Sequence, residues 1–216
     1  MSFMTEQHKQ ELVALARQHI KPDDRSHDLL HALRILKLTE EIGTREGGDP
    51  DILIPAALFH DLVMYPKNDP RSSLASIHSA DQTRELLSRL DWYPAEKIPA
   101  VAQAIERCSF TKQLPKERLE EYILQDADLL ESVGAISIAR TFSSSGHMGR
   151  QFYDVEDPTA QARPISPKDF ALDLFPGRLF IAAARLHTKT AKRLGRRRDK
   201  FLHKFYQEFL DDIDGK

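Results

Sequence analysis

The dipeptide His60-Asp61 closes an apolar run, Ile52-Leu53-Ile54-Pro55-Ala56-Ala57-Leu58-Phe59. A run of that composition sinks into a core. Its end then carries an imidazole and a carboxylate to a place where an unpaired charge is expensive. A divalent metal answers that cost, because neutral imidazole and ionised carboxylate are both good ligands. A plainer arrangement uses the same residues: a hydrogen-bonded histidine beside a carboxylate that caps a loop. The dipeptide alone does not decide between them.

Two further segments bear on the choice. Residues 26–35, SHDLLHALRI, place His31 one turn into an expected helix with Arg34 three residues on. Residues 123–132, ILQDADLLES, set Asp126 and Asp128 among Leu124, Ala127, Leu129 and Leu130, so a carboxylate there again needs a partner. Three helices thus offer His, His-Asp and Asp in that order. In this the chain resembles the HD-domain metal-dependent phosphohydrolase superfamily. The similarity extends to LFHDLVMYPKNDPRSS (58–73), SADQTRELL (79–87), QDADLLESVGAISIARTF (125–142) and FYDVEDPTAQARPIS (152–166). Over nearly its whole length it looks like one branch of small, stand-alone bacterial HD hydrolases.

The resemblance implies metal ligands at His31, His60, Asp61 and Asp128. It prefers Asp128 to Asp126, which becomes a neighbour of the ligand set. It implies one divalent ion: Mn²⁺ or Mg²⁺ first, with Fe²⁺, Co²⁺ or Zn²⁺ also compatible with a mixed nitrogen and oxygen set. Two-metal relatives need extra histidines between the HD pair and the last Asp, and that interval holds only His78. The implied reaction is attack on phosphorus by a metal-bound hydroxide. Asp61, Lys67 and Glu131 are the catalytic candidates, and Asp126 flanks the last ligand as Glu131 does. Arg34, Lys67, His27 and His78 are the candidates for holding substrate. Three of these have a plainer alternative: Lys67 as a solvated loop lysine, Arg34 as a partner of a carboxylate on its own helix, and His27 with Asp28 as a helix cap.

The expected substrate is a small phosphate ester or anhydride, a nucleotide above all. Leu62-Val63-Met64-Tyr65 stand where alarmone hydrolases of the superfamily carry an acidic pair, which argues against that substrate. The alternative is a non-catalytic HD module that binds a nucleotide and regulates a partner. A di-iron oxygenase would need further histidines.

The elements that must position these residues are helices. With 216 residues, 41% hydrophobic and 30% charged, the chain is large enough for one substantial core. Its net charge of −2 gives no overall attraction to nucleic acid or anionic membrane. One cysteine, Cys108, excludes an internal disulfide framework. The first residues show no export signal, and no apolar run approaches the length of a membrane span. A cytoplasmic location is the expectation; oligomeric state is left open.

Helical spacing predicts a helix over 5–20 capped by Thr5. A second, capped by Asp24 or Ser26, presents Leu30, Leu33, Leu38 and Ile42 and stops at Gly47-Gly48-Asp49-Pro50. The apolar run continues as helix to 64–66. Further helices are expected over 73–90, from Pro94, and from near Pro115 through Asp128 to Phe142. Residues 143–167 read as a long polar loop, either a lid or a packed surface excursion. A short helix near 168–174 and a long helical region over 178–213 follow, the latter striped with Phe201, Leu202, Phe205 and Phe209. The cluster Arg193, Arg196, Arg197 and Arg198 reads as a solvated helix face rather than a nucleic-acid site. The expectation is an all-α, single-domain helical bundle of the HD type over 1–216. Its core spans about 26–142, followed by the loop and a C-terminal helical region.

Overall fold

The computed structural model describes residues 3–20, 28–65, 69–109 and 114–216. Among them are α1 (Glu6–His19), α2 (Leu29–Glu46), α3 (Pro50–Phe59), α4 (Ala75–Ser88), α5 (Ile98–Arg107), α6 (Leu119–Leu130), α7 (Ala135–His147), a single turn α8 (Phe180–Ala182) and α9 (Lys189–Ile213). No strand occurs among the described residues, only an isolated bridge between Gln151 and Phe170. The protein is all-α. None of the described helices is long and apolar enough to cross a membrane.

The chain divides into two compact units, Met1–Asp128 and Leu129–Lys216. In the first, α3 is the central rod and packs against α1, α2, α4 and α5. Every residue from Asp51 to Phe59 is buried, which is why the segment is apolar all round rather than striped. Pro55 lacks an N–H, so the carbonyl of Asp51, four residues back, loses its helical partner. The hydroxyl of Tyr93 donates to that carbonyl at 2.7 Å. The buried Asp51 carboxylate accepts the N–H groups of Phe3 (3.0 Å) and Met4 (2.8 Å) and pairs with the Lys97 ammonium. Burial pushes the Tyr93 phenol up, and the nearby Asp51 and Asp49 carboxylates add to it.

Caps explain most helix limits. Thr5 Oγ1 accepts from His8 N, as expected. Helix α2 is capped by Asp28, the expected caps Asp24 and Ser26 lying outside the described residues, and it ends at Gly47, whose φ of 87° suits glycine. Its inward face also differs from the expected stripe. Ala32, Ile35, Leu36 and Ile42 are buried while Leu30 is 61% exposed. His31 lies on the inward face, and turning it in rotates Leu30 out.

Helix α3 ends at Phe59, with His60 as its cap, short of the expected 64–66. The single helix expected from Pro115 to Phe142 is two, broken at 131–134. There Gly134 takes φ 96° and a Cβ would stand 3.1 Å from Arg198 Cβ. No helix forms over 168–174, and the region expected to be helical from 178 is interrupted by an extended turn before α9.

The second unit has its own core: Ile138, Leu172, Phe175, Leu179 and Leu202, with Phe142, Phe205, Tyr206 and Phe209 packed around them. Its long loop is tied down. Asp157 accepts the N–H groups of Gln161, Ala162 and Arg163 at 2.8 to 3.1 Å, which holds its carboxyl below the ordinary range. The Arg163 guanidinium grips Asp173 through two bonds of 2.6 and 2.9 Å. Burial alone would raise the Asp173 carboxyl, but Arg163 and the Ser166 N–H bring it below the usual carboxylate value.

Candidate metal centre

The first unit gathers four side chains from three helices. Asp28 Oδ1 accepts the His31 N–H at 2.9 Å, which fixes the start of α2 and puts the imidazole in its first turn. His60 and Asp61 stand where α3 stops, so the carbonyls of its last turn lack helical partners. One of them, Ala57 O, lies 2.9 Å from His60 Nδ1. A carbonyl only accepts, so Nδ1 carries a proton, and Nε2 is the ring atom on the side of His31. Asp128 comes from the last turns of α6.

The distances are those of ligands around a common ion. His31 Nε2 and His60 Nε2 are 3.2 Å apart. Asp61 Oδ2 lies 3.6 Å from the former and 3.4 Å from the latter, and Asp128 Oδ1 lies 3.8 Å from His31 Nε2. For metal–ligand bonds of about 2.1 Å, neighbouring donors sit about 3.0 Å apart at right angles and about 3.4 Å apart in a tetrahedron. One atom each from His31, His60 and Asp128 falls within 4.8 Å of the others. The donor set and spacing fit a divalent cation.

Burial is graded across the centre. The imidazoles are 1% and 2% exposed, while the carboxylates of Asp61 and Asp128 are 26% and 35% exposed. Nitrogen donors therefore form the floor and oxygen donors the mouth, where a ligand from solvent would enter.

The remaining sequence candidates are scattered. Asp126 is fully buried. Arg34 is half-buried on α2. His78, on α4, has Nδ1 2.8 Å from the Tyr65 hydroxyl. The Arg71 guanidinium covers the Tyr65 ring at 4.7 Å and is held by Asp69, whose carboxyl that hydrogen bond draws down to about 2. Glu131 belongs to the second unit, where it is buried with its carboxylate 3.7 Å from Arg140. His27 and Lys67 lie outside the described residues.

Sequence reading missed the Ala57 carbonyl, because backbone groups leave no mark on composition. It also missed Tyr65 as the partner of His78. A helix-terminal histidine three residues after a carbonyl left open was the available signal for the first.

The HD domain family model matches residues 29–132, which contain all four candidate ligands. Protein YpgQ of Bacillus subtilis is 31% identical over 206 residues, spanning 92% of this chain and 90% of YpgQ. Among solved structures, an HD-superfamily hydrolase from Bacillus thuringiensis superposes with a TM-score of 0.75 at 26% identity, covering 98% of this chain and 99% of that one. The crystal structure of YpgQ in complex with ADP gives 0.72 at 26% identity, covering 96% and 98%. A structure from Lactobacillus plantarum gives 0.73 at 27%, covering 99% and 100%. With its four donors drawn from the matched segment and its length shared with these relatives, the chain belongs to the HD-domain superfamily of hydrolases, alongside small bacterial members such as YpgQ.

Proposed function

We propose that the protein is a metal-dependent phosphohydrolase acting on a small phosphate ester or anhydride, a nucleotide in particular. The observation that carries this reading is the 3.2 Å approach of the His31 and His60 Nε2 atoms beneath the carboxylates of Asp61 and Asp128. One divalent ion, Mn²⁺ or Mg²⁺ by preference, would be held by these four residues. When bound it would lower the pKa of a coordinated water and polarise a phosphoryl oxygen. The ADP complex of YpgQ supports a nucleotide as the ligand class.

The protein's own residues have separate tasks in this reading. Ala57 O orients His60, and the two imidazoles set the floor. The half-exposed carboxylates leave the mouth open to a phosphate and balance the charge of the ion. Arg34, Lys67, His27 and His78 are the proposed substrate contacts. Glu131 is the proposed auxiliary acid or base. Its ion pair with Arg140 predicts a smaller part than that of any ligand.

Turnover of nucleoside mono-, di- and triphosphates across Mn²⁺, Mg²⁺, Co²⁺ and Zn²⁺ tests the proposal, with His60→Ala as the blank. Metal-dependent phosphate or pyrophosphate release, absent from the blank, is expected. Glu131→Ala should slow turnover about tenfold or less, which is about 1.4 kcal/mol. Nucleotide-induced thermal stabilisation with no turnover under any metal would establish the regulatory module in its place.

A further inference from the structure

Helix α9 carries a line of cations. Lys189, Lys192, Arg196, Arg197, Lys200 and Lys204 are all exposed. At 100° per residue they fall, together with Arg193, within an arc of about 140° that runs about 22 Å along the helix. Among the described residues, these six make no hydrogen bond or ion pair. Arg198 does not share the line, although it interrupts it in sequence. Its guanidinium turns inward and donates to the Leu130 carbonyl at 2.6 Å, and burial draws its pKa down. The run of arginines in the sequence thus resolves into one structural residue and a longer stripe that takes in four lysines.

The stripe is out of keeping with the whole chain. Residues 1–128 hold 22 Asp and Glu against 16 Lys and Arg, and residues 129–216 hold 15 Lys and Arg against 11 Asp and Glu. The net charge of −2 hides this division. Like charges spaced one helical turn apart repel one another, so the stripe destabilises its own helix and an anion laid along it would relieve that repulsion.

We infer that the exposed face of α9 is a docking surface for the phosphate backbone of duplex DNA. Three alternatives fit the surface less well. A bilayer takes up a basic helix through its apolar face, and here that face is already buried through Ala191, Gly195 and Leu202. A second copy laid antiparallel would offer the stripe only Asp211 and Asp214, leaving most cations facing cations. A single strand is usually tracked by a groove, whereas α9 presents a convex ridge. The B-form major groove is about 12 Å wide and admits a helix between two rows of phosphates, whereas the major groove of duplex RNA is too narrow. Lysine and arginine clustered along a helix is also the electrostatic footprint of such binding. The proposed contacts are to phosphates, which carry no sequence information, so binding without sequence preference is expected.

Fluorescence anisotropy of the full-length protein with a labelled DNA duplex tests this. Micromolar binding is expected at about 50 mM salt, with log K falling against log salt at a slope of about −5 for six phosphates. The triple variant Lys192→Glu/Arg196→Glu/Lys200→Glu should bind at least tenfold more weakly, with turnover of the proposed nucleotide substrate unchanged. To separate lost binding from an unfolded α9, the neutral variant Lys192→Gln/Arg196→Gln/Lys200→Gln is measured beside it and should retain the melting temperature while flattening the salt slope. Absence of binding at low salt, equal binding by both variants, or tighter binding of single-stranded RNA or phosphatidylserine vesicles than of the duplex would each overturn the inference. None of these outcomes depends on whether the metal centre hydrolyses anything.

Discussion

The two ends of α3 treat buried charge in opposite ways. At its start, the Asp51 carboxylate meets an ammonium from Lys97 and two backbone N–H groups from Phe3 and Met4. At its finish, His60 and Asp61 meet another imidazole and another carboxylate. The first end is closed by complementary partners and ties α1, α3 and α5 together. The second assembles lone pairs and negative charge within 4 Å of His31 Nε2, an arrangement that favours a cation from outside. One helix therefore carries a stability site and a candidate metal site at a separation of about 15 Å.

That contrast can be broken from either side. The largest effect is expected at the metal end. His60→Ala and Asp128→Ala should each lower turnover about 10³-fold or more, which is about 4 kcal/mol, with bound metal lost by elemental analysis. The melting temperature of the metal-free protein should hardly change. At the other end, Lys97→Ala leaves Asp51 buried without its ammonium and should lower unfolding free energy by about 3 kcal/mol in urea titration. Its turnover per folded molecule should stay at the wild-type level. Parallel losses of activity and stability in both variants would refute the division.

Metal itself sharpens the comparison. An ion that binds only the folded state, supplied at about 100 times its Kd, should add about 2.7 kcal/mol of stability. EDTA or Asp128→Asn should remove the gain, whereas Lys97→Ala should leave it intact.

The smallest effect extends the comparison to a carboxylate of the second unit. Asp173 is held by Arg163, and its native pKa lies below that of an unfolded chain. The native state therefore binds fewer protons than the unfolded state through the window between the two values. The pair's contribution is complete above about pH 4 and is lost as pH falls through the lowered native value. Asp173→Asn should be about 2 kcal/mol less stable than the parent at neutral pH, and the two denaturation curves should converge on acidification.

The sequence reveals the core of this design and hides its joinery. The apolar run ending in His60-Asp61 is visible because burial of a whole helix leaves no polar stripe to confuse it. The choice of Asp128 over Asp126 is not legible from spacing, since both sit among leucines; the family resemblance made it. Hydrophobic period alone misassigned Leu30, because the buried histidine next to it on the same helix takes the inward face. The break at 131–134 escaped notice because Gly134 is a single residue in a helical pattern, and its need for positive φ emerges only from packing against Arg198. The arginine run was legible except at one position: Arg193, Arg196 and Arg197 are exposed as expected, and charge counts do not say that Arg198 is committed to a carbonyl.

The bond from His60 to the Ala57 carbonyl couples two events that are usually considered apart. The ring is oriented as soon as the last turn of α3 forms, so no rotational freedom remains to be lost when an ion arrives. Fraying of that turn would release the ring, and affinity for the ion would fall with it. Titrations of metal across temperature should therefore register the integrity of a helix end well before the molecule as a whole begins to melt.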